Sequence, residues 1–290
     1  MQAGDEAIDL PPTRTLPAGD RRIAWCELGA ADGVPVLVAH GSPGSRYQLL
    51  PLRKAAEARG VRLIVPDRPG YGETSPAPER GFRAWTGDAV ALLDELGLDT
   101  VTVLGFSGGA GYALGLALDS PERVGRVVLA CGMLPAPPPQ ALAGRIPVVS
   151  LLYRVSRYAP RLAAAMLEGR GVFKNTRAGS LSAWPAADRA VMADPAISAL
   201  TAIDAEAAAQ QGARAAVDDL RRYYRPMDLA RVRQPVRLLH GTADGNVPIG
   251  VARWGVTQLP EARLDVLPDA GHYFAAAHPE TVIDALRGVG

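Results

Sequence analysis

The 290-residue sequence is poor in several residue types, and each shortage narrows its class. Its two cysteines, Cys26 and Cys131, are too few for a disulfide framework. Both lie in strand-like apolar segments, so we expect buried thiols in a reducing compartment. A disulfide between them is the alternative. Only two of the 31 basic residues, Lys54 and Lys174, are lysine. We attribute this preference for arginine to the base composition of the genome. The net charge of +1 gives no nucleic-acid-binding footprint.

Long hydrophobic runs are also absent. No apolar run approaches the ~20 residues that span a bilayer, which predicts no integral membrane association. The first 17 residues are acidic and contain proline, without the basic start and apolar stretch of a signal peptide, so we expect a cytoplasmic protein. The chain is nevertheless 48% hydrophobic, enough for a large core in one or two domains.

A serine between glycines gives the chain its most specific motif. A strand-like run, 100–106, ends in Gly105-Phe106-Ser107-Gly108-Gly109, and a helical pattern follows over 110–119. A strand that turns into a helix through G-x-S-x-G presents its serine on a strained backbone, where side chains at the outer glycines would collide with neighbouring backbone. Ser107 is therefore the candidate nucleophile. The alternative is a glycine-rich loop with a capping serine.

A serine nucleophile needs a general base and a group that orients the base. His272 is the candidate base, because it lies in a loop between a strand-like and a helix-like segment, where a side chain can reach an active site. His40 and His240 each end an apolar strand before a glycine, which is typical of structural residues. His278 is expected to be a solvated helix-end residue.

Asp244 is the candidate orienting acid, because it comes directly after the strand 236–239. The order Ser107, Asp244, His272 is the order in which the partners of this motif follow it along a chain. Asp265 and Asp269 are alternatives close to His272 in sequence, although Asp269 is better placed to shape its turn. No carboxylate closely follows the strand 124–130, so the other possible acid position is empty.

The order of elements predicts an α/β fold with a mostly parallel, doubly wound sheet of about eight strands. The sequence favours an opening hairpin over 13–28 with its turn at Ala18-Gly19-Asp20. The remaining predicted strands are 34–39, 61–66, 100–106, 126–130, 236–239 and 262–267. The predicted helices are 46–59, 83–96, 110–119 and about 275–286.

Between 133 and 233 the strand signal disappears, and Ala, Leu and Arg dominate. This change predicts a helical cap inserted into a core made of 1–132 and 234–290. Such a cap lies over the strand ends, where ligands bind in open α/β sheets. Its apolar side chains either line an acyl pocket or pack the cap together. The candidate pocket residues are Met133, Leu152, Phe173, Trp184 and Tyr224.

Taken together, these motifs resemble the α/β-hydrolase superfamily, in its cap-bearing branch of esterases, carbon–carbon hydrolases and haloperoxidase-like proteins, over nearly the whole chain. The other matching pieces are His40-Gly41-Ser42-Pro43-Gly44, Asp67-Arg68-Pro69-Gly70-Tyr71-Gly72 and the Asp244 loop. In relatives, the residue after the first His-Gly and the residue after the nucleophile donate backbone N–H groups to the oxyanion. The resemblance therefore implies these roles for Ser42 and Gly108.

The resemblance implies a serine hydrolase that cleaves a carboxylic ester of a small-molecule acyl substrate through an acyl-enzyme, without metal or cofactor. Relatives that act on haloalkanes or epoxides have an aspartate at the nucleophile position, so Ser107 argues against both reactions. A thioester or carbon–carbon substrate, acyl transfer or cyclisation, and a receptor-like protein with little turnover remain open, because function depends on the site rather than the fold. The oligomeric state also remains open.

Charge within the cap is uneven. Residues 133–180 contain six arginines and one lysine against Glu168 alone. Apolar residues alternate with three of these arginines, Arg154, Arg157 and Arg161. Such a pattern could bind an anionic ligand or an acidic membrane surface. We favour the alternative, a helix face exposed to solvent.

Overall fold

The computed structural model describes residues 8–77, 81–170 and 184–288, and its centre is one eight-stranded sheet. The strands lie in the order β1-β2-β4-β3-β5-β6-β7-β8, with β2 antiparallel to β1 and β4 and all other neighbours parallel. The strands are β1 Arg14–Ala18, β2 Arg21–Gly29, β3 Val34–Ala39, β4 Val61–Pro66, β5 Val101–Phe106, β6 Val124–Ala130, β7 Val236–Gly241 and β8 Ala262–Leu267. The predicted opening hairpin and parallel sheet are thus confirmed.

Helices cover both faces of this sheet. In the described residues they are α1 Arg53–Ala58, α2 Thr86–Glu95, α3 Ala110–Asp119, α4 Pro147–Tyr158, α5 Pro160–Leu167, α6 Ala186–Met192, α7 Pro195–Ala208, α8 Arg214–Arg222, α9 Ile249–Gln258, α10 Phe274–Ala277 and α11 Pro279–Arg287. Helices α2, α3 and α9 share one hydrophobic core with one sheet face, and α1 and α11 share a second core with the other. The sheet is therefore doubly wound, as predicted.

Alternation along the central strands produces the two cores. Val103 belongs to the first core and Leu104 to the second, and Leu37 and Val38 divide in the same way. Successive side chains of a strand point to opposite faces, so a parallel strand covered on both sides is apolar throughout. The carboxyl ends of β3, β5, β6, β7 and β8 meet at one edge, where the functional loops begin.

Three helix predictions need correction. The helix predicted for 46–59 begins only with a short 3-10 turn at Leu50, because Ser45 and Arg46 are held by buried hydrogen bonds to Asp204 and Asp67. The helix predicted for 83–96 likewise opens with a 3-10 turn before α2.

The predicted last helix, at about 275–286, is interrupted at Pro279. It divides into α10 and α11, and Pro279 begins the second helix. Proline cannot donate a backbone hydrogen bond inside a helix but is well tolerated at the first position. Helix α9 was not predicted from the sequence.

Residues 133–233, the segment predicted to be a cap and called the cap below, supply helices α4 to α8, and the described residues among them contain no strand. Phe173 lies outside the residues that the structure describes. Within the described part of the chain, no helix is both long enough and apolar enough to span a membrane.

Candidate active site

Ser107 lies at a sharp turn between β5 and α3. Its φ of 50° is in the left-handed region that non-glycine residues seldom adopt. A Cβ on Gly109 would lie 1.9 Å from the carbonyl oxygen of Ala39, and one on Gly105 would lie 2.8 Å from the Cα of Ala110. The backbone strain and the collisions predicted from the motif are confirmed. Ser107 caps neither α3 nor the 3-10 turn before it.

Three loops at the carboxyl edge of the sheet bring the predicted catalytic side chains together. The Nε2 atom of His272 lies 2.9 Å from the Oγ of Ser107, and its Nδ1 lies 2.8 Å from the Oδ2 of Asp244. With Nδ1–H donating to the carboxylate, Nε2 is left to accept the hydroxyl proton. All three side chains are buried, Ser107 being 8% exposed.

Electrostatics within this group stabilise the charged form of Asp244. Burial would raise the pKa of Asp244, but His272 and a hydrogen bond from His240 hold that pKa well below its usual range. Its Oδ1 accepts the backbone N–H groups of Asn246 and Val247 at 2.9 and 2.8 Å. Burial would lower the pKa of His272, but the Asp244 carboxylate outweighs it and holds that pKa well above its usual range. Asp244 is therefore fixed as a charged acceptor.

Of the other histidines, two bond to the backbone and one is exposed. His40 bonds through Nε2 to the N–H of Arg68 at 2.8 Å, and burial followed by the charge of Arg68 lowers its pKa well below the usual range. His240 bonds to the carbonyl of Val247 at 2.7 Å. His240 also lies 3.4 Å from the Oδ2 of Asp244. His278 is exposed at the start of α11.

The two alternative acids are engaged elsewhere. Asp265 forms an ion pair with Arg237 at 2.5 Å on neighbouring strands. Asp269 is exposed, has a φ of 56°, and donates its backbone N–H to Thr242 in the turn after β8. It shapes its turn, as the sequence suggested.

The residues expected to donate to an oxyanion also lie next to each other. A Cβ on Gly108 would lie 3.0 Å from the backbone nitrogen of Ser42 and 2.7 Å from its Oγ, so only glycine allows this approach. We call residues 41–43 the oxyanion turn. Gln48 contacts both of its ends, accepting the N–H of Gly41 at 2.5 Å and donating to the carbonyl of Pro43 at 3.2 Å.

A buried ion pair continues from the oxyanion turn into the cap. Arg68 and Asp219 are both 0% exposed, and Arg68 Nη1 lies 2.8 Å from Asp219 Oδ2. Burial would raise the pKa of Asp219, but Arg68 and Arg222 lower it to about 2. The remaining partners of its carboxylate are hydroxyl donors, from Ser42, Tyr71 and Tyr112.

Two of the predicted pocket residues adjoin the triad. Met133 donates its backbone N–H to the carbonyl of Ser107 at 3.0 Å. Trp184 stacks on Tyr273, the residue after His272, with ring centroids 5.3 Å apart. Tyr273 in turn donates its backbone N–H to Asp188 of α6 at 2.9 Å, so the cap also contacts the histidine loop.

The other predicted pocket residues are placed within the cap. Tyr224 packs against Tyr153, with ring centroids 6.3 Å apart, and lies under the guanidinium of Arg157. Leu152 is a half-buried residue of α4. Neither has a hydrogen bond or ring contact to a triad residue among the described interactions.

Cys131 lies at the end of β6, where the sequence offers no carboxylate. Cys131 and Cys26 are both free, buried thiols, so the expectation of buried thiols is confirmed and a disulfide between them is absent. Burial raises the pKa of Cys26 to about 12 and also raises that of Cys131, despite the neighbouring His272. Cys131, Asp244 and His272 are the one group of described residues spaced like metal ligands.

Sequence reasoning missed the polar residues that support the site from a distance. Gln48, Arg68, Asp188, Asp204 and Asp219 carry no motif that marks them as interacting. Of these residues, only Arg68 belongs to a motif described above, the segment 67–72. Its partner, Asp219, lies 151 positions later in the sequence.

Comparison with known proteins agrees with this architecture. The alpha/beta hydrolase family matches residues 36–285. A pimeloyl-[acyl-carrier protein] methyl ester esterase from Aromatoleum aromaticum is 34% identical over 253 residues, covering 79% of this chain and 89% of the esterase. A 2-hydroxymuconate semialdehyde hydrolase from Pseudomonas putida is 28% identical, covering 86% and 84% of the two chains.

A solved hydrolase structure from Pseudomonas aeruginosa has the same fold, with a TM-score of 0.73 at 21% identity, covering 99% of this chain and 100% of that one. With the family match spanning most of the sequence, and relatives that are esterases and hydrolases, the chain belongs to the alpha/beta hydrolase family and is a hydrolase enzyme.

Proposed function

We propose that this hydrolase cleaves carboxylic esters of small acyl substrates through an acyl-enzyme on Ser107. Ser107 Oγ attacks the ester carbonyl while His272 Nε2 takes its proton, and His272 then protonates the leaving alcohol. Water, deprotonated by the same nitrogen, attacks the acyl carbon. The bond from the acyl carbon to Ser107 Oγ then breaks, Oγ takes the proton back from His272, and the acid is released. Asp244 holds the histidine tautomer and stabilises the imidazolium. The backbone N–H groups of Ser42 and Gly108 stabilise the oxyanion.

One observation carries the proposal: an unbroken hydrogen-bonded chain from Asp244 through His272 to Ser107, at 2.8 and 2.9 Å. These are the contacts a general base needs to the hydroxyl it activates and to the group that orients it. The close approach of Gly108 and Ser42 supports the assignment of their backbone N–H groups as oxyanion donors beside the same serine.

The relatives support an ester bond more than a carbon–halogen bond. The relative with the highest identity among those named above is a methyl ester esterase. Haloalkane dehalogenases also match, one from Mycolicibacterium paratuberculosis at 28% identity over 61% of this chain. An aspartate nucleophile is required for that chemistry, and Ser107 stands in its place.

The cheapest test is turnover of p-nitrophenyl acetate, butyrate and octanoate by the wild-type enzyme and Ser107→Ala. We expect the wild type to hydrolyse at least the short esters, and Ser107→Ala to lose a factor on the order of 10^6 in kcat. Wild-type turnover no faster than that of Ser107→Ala would contradict the proposal and favour a binding protein. Products formed only with an added alcohol or amine would indicate acyl transfer instead.

A further inference from the structure

We propose that two aspartates of the cap, Asp204 on α7 and Asp219 on α8, position the oxyanion turn. The catalytic centre is then complete only while the cap is seated on the core. This inference rests on the proposed function, because it concerns the Ser42 N–H that the esterase mechanism uses. Both aspartates are positioning residues that act through core side chains, Gln48 for Asp204 and Arg68 for Asp219.

Gln48 closes the oxyanion turn across its two ends. Its Oε1 accepts the N–H of Gly41 at 2.5 Å, and its Nε2 donates to the carbonyl of Pro43 at 3.2 Å. These two bonds lie on either side of Ser42 in sequence and fix the peptide groups that flank it. A Cβ on Gly44 would lie 2.4 Å from Nε2, so the amide is packed closely against the turn.

Asp204 reinforces the orientation of the Gln48 amide. An amide turned by 180° would place Nε2 against the N–H of Gly41 and Oε1 against the carbonyl of Pro43, so the turn already favours the observed orientation. The Oδ2 of Asp204 accepts from Gln48 Nε2 at 3.2 Å, while its Oδ1 accepts the N–H and the Oγ–H of Ser45, both at 2.7 Å. In its charged form the carboxylate only accepts, and it then favours the orientation in which Oε1 faces Gly41.

Asp219 acts on the opposite side of the same turn. Arg68 Nη2 donates to the carbonyl of Gly41 at 2.7 Å and to the Oγ of Ser42 at 2.8 Å, and Ser42 Oγ–H donates to Asp219. Without the carboxylate, the guanidinium would be buried and uncompensated, which is strongly unfavourable. The turn is therefore held between two cap carboxylates from two different helices.

The first experiment replaces Asp204 with asparagine, which keeps its shape. Its new N–H₂ group then faces Gln48 Nε2, and this donor–donor contact displaces the Gln48 amide from its hydrogen bonds to Gly41 and Pro43. Complete loss of one oxyanion donor costs about 10²–10³ in kcat. We expect Asp204→Asn to lower kcat for p-nitrophenyl butyrate by about tenfold or more, with KM within about twofold. The affinity of a trifluoromethyl ketone, whose adduct fills the oxyanion hole, should fall in parallel.

The matched control is Glu206→Gln, which removes the same charge from an exposed position on the same helix. It should leave kcat, KM and inhibitor affinity unchanged. Asp204→Asn with wild-type kcat would overturn the inference for Asp204, and so would an equal loss in Glu206→Gln.

A compensating change separates positioning from general structural support. In Asp204→Asn/Gln48→Glu, the new amide at 204 donates to the new carboxylate at 48, whose second oxygen accepts the N–H of Gly41. We expect the double variant to have a higher kcat than Asp204→Asn, although the bond to the carbonyl of Pro43 is lost. Gln48→Glu alone faces two carboxylates toward each other and should be impaired. A double variant that is no better than the worse single would contradict the proposed orientation.

Ser42→Ala tests the Asp219 side, because it removes the hydroxyl between Arg68 and Asp219 and keeps the backbone N–H. We expect kcat to fall about threefold to tenfold at constant KM. This loss is smaller than the one caused by complete removal of an oxyanion donor, because the backbone N–H remains. An unchanged kcat would remove Asp219 from the proposal. Asp219→Asn is the direct variant, with Asp218→Asn as its half-exposed neighbour control.

Hydrogen exchange makes this test independent of esterase activity. The peptide that contains the oxyanion turn should exchange its amide hydrogens faster in Asp204→Asn than in wild type, and at the wild-type rate in Glu206→Gln. If esters are not turned over but this pattern appears, the proposed function fails while the positioning holds. Equal exchange in all three proteins would overturn the positioning, whatever the activity.

Discussion

The two halves of the candidate active site are built differently. The triad joins loops that end neighbouring core strands, with Ser107 after β5, Asp244 after β7 and His272 after β8. The oxyanion turn also belongs to the core, as do its supports Gln48 and Arg68. These two side chains and Ser42 bond to cap aspartates 151 to 177 positions away in sequence. Under the proposed function, activation of the nucleophile is a property of the sheet edge, whereas we expect stabilisation of the oxyanion to depend also on how the cap is seated.

This difference separates what each kind of substitution should do. Changes in the triad should abolish proton transfer and leave the cap in place. Changes beneath the oxyanion turn should lower transition-state stabilisation while the triad hydrogen bonds persist.

The largest expected effect is on the triad side. Asp244→Asn should leave the fold intact and lower kcat by a factor on the order of 10^4, because the amide no longer holds the correct histidine tautomer. The control, Asp269→Asn, alters an exposed turn residue and should cost far less. Steady-state kinetics with p-nitrophenyl butyrate measures both. If the two results were exchanged, the orienting role would pass to Asp269.

The next largest effect is expected from a core substitution beside the oxyanion turn, at Gly108. Gly108→Ala places a Cβ 3.0 Å from the backbone nitrogen of Ser42 and should push the two donors apart. We expect kcat to fall by about 10² with KM little changed, the value of one oxyanion donor. Gly87→Ala, where nothing lies within 4 Å of the added Cβ, is the matched control and should be active. Equal activity of the two variants would contradict the assignment of Gly108.

A smaller effect appears in the pH dependence of stability. Burial raises the pKa of Asp204 from its usual 3.8 to about 7. Between these pH values the folded protein binds more protons than the unfolded chain, so this group lowers the free energy of unfolding as pH rises from about 4 to 7. Asp204→Asn should therefore flatten the decline of Tm over that range, and Glu206→Gln should not. Parallel Tm curves for Asp204→Asn and the wild type would show that Asp204 does not titrate there.

The smallest expected effect concerns the exposed arginines of the cap. Arg154, Arg157 and Arg161 are exposed, and Arg157 lies over the rings of Tyr158 and Tyr224. Replacing all three arginines with glutamine should change kcat/KM by less than about threefold for a neutral and a carboxylate-bearing ester alike, because exposed charges are screened beyond about 8 Å at physiological salt. A tenfold, salt-sensitive loss confined to the anionic ester would show that they bind substrate.

The comparison between the triad loops and the oxyanion turn also explains which features the sequence could predict. The strands and the elbow around Ser107 follow from local rules, since β-branched runs, glycine positions and strand-helix order are all visible in a few neighbouring residues. The triad geometry follows from the fold, because parallel strands deliver their loops to one edge.

The support of the oxyanion turn follows from no local rule. Asp204 and Asp219 lie in helical segments without a recognisable motif, and their proposed roles depend on how α7 and α8 pack against the core. The early start predicted for the helix at 46–59 failed for the same reason, because Ser45 and Arg46 are committed to tertiary hydrogen bonds that propensity does not describe. The pocket residues Leu152 and Tyr224 were chosen by residue type, and cap packing alone decides their place.

The most direct test of the central claim is the site of reaction of a serine-directed phosphonate. Its adduct imitates the tetrahedral intermediate, so it should form where an activated hydroxyl and an oxyanion hole coincide. After inactivation of the wild-type enzyme, peptide mass spectrometry should place the label on Ser107, with loss of ester turnover in proportion to labelling and no label in Ser107→Ala. Inactivation with the label on another serine and Ser107 unmodified would contradict the account.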